Sequence, residues 1–138
     1  MAYVPATMKN QGLRVHRHVM VIPTRAIVIA DSIDGYEGEL FHSYVHLTPE
    51  AAKAEAEKDL QRLASEGRTL WLKLLAGQST TTEKGHYAPE FGEHHTSIVL
   101  VFSGVKRIVY SFSLDKPKAE ETRIWLEKIT NFAAERRS

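Results

Sequence analysis

The sequence contains no cysteine, which excludes disulfide bonds, thiol nucleophiles and thiolate metal ligands. Among its 138 residues no apolar run approaches the ~18 that a transmembrane helix needs. The N-terminus also lacks the charged segment followed by a long apolar one that marks an exported precursor. We therefore expect a soluble, cytoplasmic protein with no membrane partner.

A strong charge of either sign is also missing. Lysine and arginine number 18 against 17 aspartates and glutamates, and the net charge is +1. Proteins that bind nucleic acid usually carry a basic stripe, so this class is not expected. Apolar residues make up 43% of the chain, which is ordinary for one folded domain. We place that domain at residues 13–138, after a flexible lead-in at residues 1–12.

Short catalytic motifs are absent as well. The chain has no G-x-S-x-G elbow, no H-E-x-x-H pair and no glycine-rich phosphate loop followed by lysine. Neither a serine hydrolase triad nor a phosphate-binding loop is therefore supported.

Alternating and β-branched segments predict most of the structure. Two apolar runs at 19–22 and 26–30, separated by Pro23-Thr24-Arg25, predict two strands joined by a tight turn. Residues 38–47 alternate, with His42, Tyr44 and His46 on one face. Further strands are predicted at 69–75, and at 97–103 and 106–114 as a hairpin about Gly104-Val105.

Two helices and a long loop complete the prediction. Residues 48–66 begin with Thr48-Pro49-Glu50 and are rich in Ala, Glu, Lys and Leu, which indicates a helix. Residues 116–134 carry apolar side chains at helical spacing. Residues 77–96 lack an apolar period and read as a loop. The expected fold is α+β, with one curved antiparallel sheet of five or six strands and two helices.

Histidine is the most unusual feature, with seven in the chain. His16 and His18 lie two apart in a predicted strand and share a face, roughly 6–7 Å from one another. Asp31 ends the next strand, and His46 ends the third. Imidazole nitrogens and one carboxylate suit zinc, whereas histidines on a solvated sheet face need no ligand. Both interpretations remain open from these residues.

Two segments resemble the C-terminal β domain of heparinase II/III-like polysaccharide lyases. Residues 16–50 (HRHVMVIPTRAIVIADSIDGYEGELFHSYVHLTPE) contain a His/Arg-led strand, a strand ending in aspartate, a turn glycine and a strand ending in a His-Leu-x-Pro pattern. Residues 85–102 (GHYAPEFGEHHTSIVLVF) resemble the Tyr-x-Pro-Glu-Phe-Gly segment and the strand after it. The two segments cover about half of the chain, in the order that the family has.

This resemblance implies a zinc site formed by His18 (or His16), Asp31 and His46, with His16 as the family's substrate-facing, catalytic histidine. The family's catalytic tyrosine and most of its cleft lie in a large helical toroid that this chain does not contain. The resemblance thus implies an accessory or binding module and not a complete lyase.

An oligosaccharide partner is consistent with the segment around residues 86–93. Tyr87, Glu90 and Phe91 pair aromatic rings with a carboxylate, a combination that can stack on a sugar and accept hydrogen bonds from its hydroxyls. The rings of Tyr87 and Phe91 could instead pack against the sheet and hold the loop in place.

Two other function classes remain open. His46-Leu47-Thr48 and His95-Thr96-Ser97 each match H-x-[ST] and resemble the 2H phosphoesterases, in which one imidazole is a general base and the other a general acid, without metal. Residues 108–129 resemble the end of a pleckstrin-homology-type domain, which would bind a protein partner and catalyse nothing.

Overall fold

A computed structural model describes residues 14–34, 40–47, 55–57, 59–65, 67–87 and 95–137. Residues 1–12, predicted as a lead-in, lie outside these ranges. Within the described part of the chain, no helix is both long enough and apolar enough to cross a membrane.

The described residues form nine strands and one helix. The strands are β1 (Arg14–Ile22), β2 (Ala26–Asp34), β3 (Phe41–His46), β4 (Glu55–Glu57), β5 (Leu60–Ser65), β6 (Arg68–Ala76), β7 (Ser79–Tyr87), β8 (His95–Gly104) and β9 (Arg107–Ser113), and the helix is α1 (Ala119–Arg137).

The strands make two antiparallel sheets. The large sheet has the order β1-β2-β9-β6-β5-β4, and the small sheet has the order β3-β8-β7. The antiparallel arrangement was predicted. The prediction of a single sheet was wrong, because strands that follow one another in sequence are divided between two layers.

The main core lies between the two sheets. Its fully buried members include Leu72, Leu100, Phe102, Ile108 and Tyr110. The Phe102 and Tyr110 rings stack across the layers with centroids 4.9 Å apart. Because side chains alternate along a strand, each sheet offers only every second residue to this core.

A second core lies on the opposite face of the large sheet, under α1. Trp125 and Ile129 of the helix pack on Val28 and Val109 of the central strands. The helix predicted over 116–134 is present, but it runs from Ala119 to Arg137. The backbone N–H of Lys118 donates to the Glu121 carboxylate at 3.2 Å. A carboxylate there satisfies a donor that the first turn leaves unpaired.

The helix predicted over 48–66 is wrong where that segment is described. Residues 55–57 and 60–65 are strands, while 48–54, 58 and 66 lie outside the described residues. Gln61 and Leu63 are buried and Arg62 and Ala64 are exposed, a two-residue alternation. Pairing with β6 therefore overrides the helix propensity of Ala, Glu, Lys and Leu.

The loop predicted over 77–96 is mostly a strand. β7 pairs with β8 from Ser79↔Ser103 to Tyr87↔His95, which leaves residues 88–94 outside the described ranges. Its side chains from Thr81 to Lys84 are exposed on both faces, so no apolar period marks it.

The hairpin predicted about Gly104-Val105 is wrong as well. β8 pairs in the small sheet and β9 in the large sheet, so this turn links the two layers. By contrast, the β1–β2 hairpin is confirmed, and Thr24 in its turn has a positive φ of 63°.

The inter-sheet core predicts a contrast between two leucines. Leu72→Ala empties a fully buried position and should cost about 3 kcal/mol in the free energy of unfolding. Leu114→Ala removes a side chain that is 66% exposed and should cost under about 0.5 kcal/mol. Urea unfolding of both variants measures this, and equal losses would contradict the assigned layers.

Candidate functional site

Alternation along β1 sends its polar residues to opposite faces of the large sheet. The register pairs Arg17 with Asp31 and His18 with Ala30. The His18 ring meets the edge of Phe132 on α1, with centroids 5.7 Å apart. Arg17 points the other way, into the space between the sheets.

Asp31 is a fully buried carboxylate between the two sheets. Arg17 donates to both of its oxygens, from Nε to Oδ1 at 2.6 Å and from Nη2 to Oδ2 at 2.7 Å. The Ser43 hydroxyl of β3 donates to Oδ2 at 2.8 Å. The side-chain hydrogen bond to Asp31 raises the pKa of Arg17, so the guanidinium that faces this carboxylate keeps its charge.

Tyr110 of β9 is the fourth member of this hydrogen-bond network. Arg17 Nη2 donates to the Tyr110 hydroxyl oxygen at 3.2 Å. Burial raises the pKa of the Tyr110 phenol to about 12, and the negative charge of Asp31 adds to the effect while Arg17 opposes it. We refer to Arg17, Asp31, Ser43 and Tyr110 as the buried network.

The other face of β1 carries a histidine pair. The His16 and His18 rings stack with centroids 6.4 Å apart, as their spacing predicted. His16 Nε2 lies 3.2 Å from Asp34 Oδ2, and both side chains are partly exposed.

A cleft of about 380 Å³ opens beside this pair, between α1 and the large sheet. Its walls are largely apolar and include Ala30, Val109, Ile129 and Ala133. His18, Lys106 and Arg107 supply basic groups to its lining. Arg107 Nη1 donates to the Thr130 hydroxyl at 2.7 Å, which positions the guanidinium. We call this the basic cleft.

A third group lies on the outer face of the small sheet. Since Ser43 reaches inward to Asp31, its neighbours His42 and Tyr44 face outward. Their rings are 6.2 Å apart, and His42 Nδ1 is hydrogen-bonded to Ser103 Oγ at 2.7 Å. His46 is exposed at the end of the same strand. The prediction that these three share a face is thus confirmed.

The predicted zinc ligands His18, Asp31 and His46 lie in three different layers. His18 is under α1, Asp31 is between the sheets, and His46 is on the outer face of the small sheet. They do not converge on one point. No cluster of three or more candidate metal ligands occurs within the described ranges. The zinc content of the protein stays a prediction.

The remaining predicted residues are only partly described. Tyr87 and His95 pair at the end of the β7–β8 ladder, and nothing is described of their side chains. Glu90 and Phe91 lie outside the described residues. The sugar contacts and the 2H-type histidine pair therefore stay predictions.

Arg17, Lys106 and Arg107 were missed by the sequence analysis. A signal for Arg17 was available, because the turn at 23–25 pairs Ile22 with Ala26 and, counted back, Arg17 with Asp31. No such signal was available for Lys106 and Arg107. The predicted hairpin paired their strand with β8, whereas β9 lies in the other sheet.

Comparisons with known proteins agree with this architecture. The family model described as heparinase II/III-like, C-terminal, matches residues 3–126. The crystal structure of heparan sulfate lyase HepC from Pedobacter heparinus matches with a TM-score of 0.65 and 18% sequence identity. The match covers 78% of this chain and 18% of that lyase chain. A search of the curated proteins found no match.

The buried network predicts a loss of stability at high pH. Between pH 10 and about 12 the Tyr110 phenol ionises in the unfolded chain while the folded chain keeps it protonated. Its contribution is complete below pH 10 and is lost as the pH rises through this window, by on the order of 1–3 kcal/mol in total. The free energy of unfolding, measured with urea across this pH range, should fall less steeply for Tyr110→Phe than for the wild type. Parallel curves would contradict the buried, protonated phenol.

Proposed function

This chain belongs to the heparinase II/III-like C-terminal domain family, and on that premise we propose that it is an accessory module that binds an acidic oligosaccharide. This chain spans 18% of the heparan sulfate lyase chain that it matches, so the proposal concerns this domain and not the activity of that whole lyase. The observation that carries the proposal is the basic cleft.

The charges around the basic cleft favour an anionic ligand. Lys106 and Arg107 are both exposed beside the cavity, and His18 adds a third basic group when protonated. Asp34 also lines the cavity, but His16 lies within ion-pair distance of its carboxylate. A guanidinium matches the two oxygens of a carboxylate or sulfate, and an ammonium acts as a point charge beside it.

The size and walls of the cleft fit a small part of a chain molecule. A volume of about 380 Å³ lies at the lower end of the range for small-molecule sites. The solvent-accessible surfaces of Ala133 and Ala134, which line the cavity, offer contact to the C–H face of a sugar ring, while the basic groups take its acidic substituents. Tyr87, Glu90 and Phe91 remain proposed as further sugar contacts.

A hydrogen bond to Thr130 makes Arg107 suited to binding an anionic group. The hydrogen bond to Thr130 restrains a long side chain before the ligand arrives. Less rotamer entropy is then lost on binding than for a free arginine.

The proposal is tested with a defined heparan sulfate oligosaccharide in titration calorimetry. The double variant Lys106→Ala/Arg107→Ala should weaken binding roughly tenfold or more, because two charge-assisted contacts are lost. Added salt should weaken binding by the wild type more than by the variant.

Lys84→Ala is the matched control, because it removes an exposed lysine from β7 of the small sheet. It should bind as the wild type does, and a neutral maltooligosaccharide should not bind at all. Equal affinity of the wild type and the double variant would refute the basic cleft as the binding site.

A further inference from the structure

A fully buried carboxylate requires a positive partner. Asp31 has no exposed surface, and an unpaired charge at such a position is strongly unfavourable. The family resemblance assigns that partner as zinc. The geometry of the buried network supplies a different one.

The two Arg17 contacts occupy both oxygens of Asp31. Nε and Nη2 donate to separate oxygens at 2.6 and 2.7 Å, the bidentate geometry that a guanidinium and a carboxylate form best. The Ser43 hydroxyl takes a further acceptor position on Oδ2 at 2.8 Å. Three of the four lone-pair positions of the carboxylate are therefore taken, and a metal on Oδ2 would have to displace one of its two donors.

The imidazoles proposed as co-ligands lie in other layers than Asp31, with His46 on the outer face of the small sheet. His18 packs against Phe132 of α1, on the face opposite to Asp31. Bringing the two together requires a one-residue shift of β1 against β2, which would turn every side chain of β1 to the other face.

We propose that the Arg17 guanidinium is the built-in counter-ion of Asp31, that it takes the role which the resemblance gives to zinc, and that the domain folds with no metal at Asp31. The counter-ion is covalently part of β1 and cannot be removed by a chelator. Arginine also stays charged at every pH at which the protein is folded, whereas histidine ligands release metal when they are protonated.

The first experiment measures zinc by elemental mass spectrometry and the Tm of the untagged full chain with and without EDTA. We expect the same Tm with and without EDTA. We also expect no stoichiometric zinc whose presence depends on Asp31, as judged by comparison with Asp31→Asn. Stoichiometric zinc that is lost in Asp31→Asn, with a Tm that EDTA lowers, would overturn the proposal.

The second experiment compares Arg17→Met with Arg17→Met/Asp31→Leu. The single variant leaves a buried carboxylate without its cation, and we expect its Tm to fall by about 10 °C. The double variant removes both charges and should recover at least half of that loss in Tm, because no buried charge is then left without a partner. A double variant no more stable than the single one would contradict the counter-ion role.

The control is Arg25→Met. Arg25 also makes a bidentate contact with Glu121, from Nε to Oε2 at 3.1 Å and from Nη2 to Oε1 at 2.7 Å, but here both side chains are partly exposed. Its loss should lower the Tm much less, since exposed pairs contribute little. Should Arg17→Met fail to fold, the double variant and the wild-type zinc measurement still decide the question.

Discussion

The ion pair between Arg17 and Asp31 joins elements that are far apart in the sequence. Through Arg17 it holds β1, through Ser43 it holds β3 of the small sheet, and through Tyr110 it holds β9. Among the described residues, the two sheets also meet through a core of apolar side chains, which constrain their alignment by shape. A bidentate pair with a hydroxyl on its second oxygen adds directional contacts to that core. The alignment of the large sheet with the small one therefore depends on this network as well as on packing.

The two-residue period of a strand then explains how one segment serves two surfaces. Along β1, Arg17 reaches Asp31 at the edge of the core while His16 and His18 turn to the helix side. Along β2, Asp31 enters the core while Ala30 lines the basic cleft. Along β9, Tyr110 enters the core while Arg107 and Val109 line the cleft. The buried network and the basic cleft thus share three strands without sharing a surface. Substitutions in one reach the other by changing the pairing of these strands.

Local signals in the sequence predicted the parts of the fold that local geometry determines. The Pro23-Thr24-Arg25 turn and its flanking β-branched runs predicted the β1–β2 hairpin, and Pro117 with the apolar spacing after it predicted α1. Residues 60–65 were mispredicted because their pairing with β6 is a tertiary contact that outweighs helix propensity. β8 and β9 were predicted as strands, but their pairing with each other was mispredicted because a short turn does not reveal that its two strands join different sheets. The same limit applies to the candidate site. The histidines were recognised, but which of them face Asp31 depends on the layer of each strand.

The arrangement also bears on where the chemistry of this family resides. Fold similarity alone does not carry an activity across, because function depends on the side chains at a site. Among the described residues Asp31 is the buried charged side chain, and its oxygens are bound by donors of the same chain. Such a carboxylate serves the fold. The groups that remain accessible to a ligand include Lys106 and Arg107 beside an apolar cavity, and His42 and His46 on the outer face of the small sheet. On the function proposed above, the basic groups would bind and orient an acidic chain molecule without any bond to it being broken, which is the chemistry that an accessory domain needs.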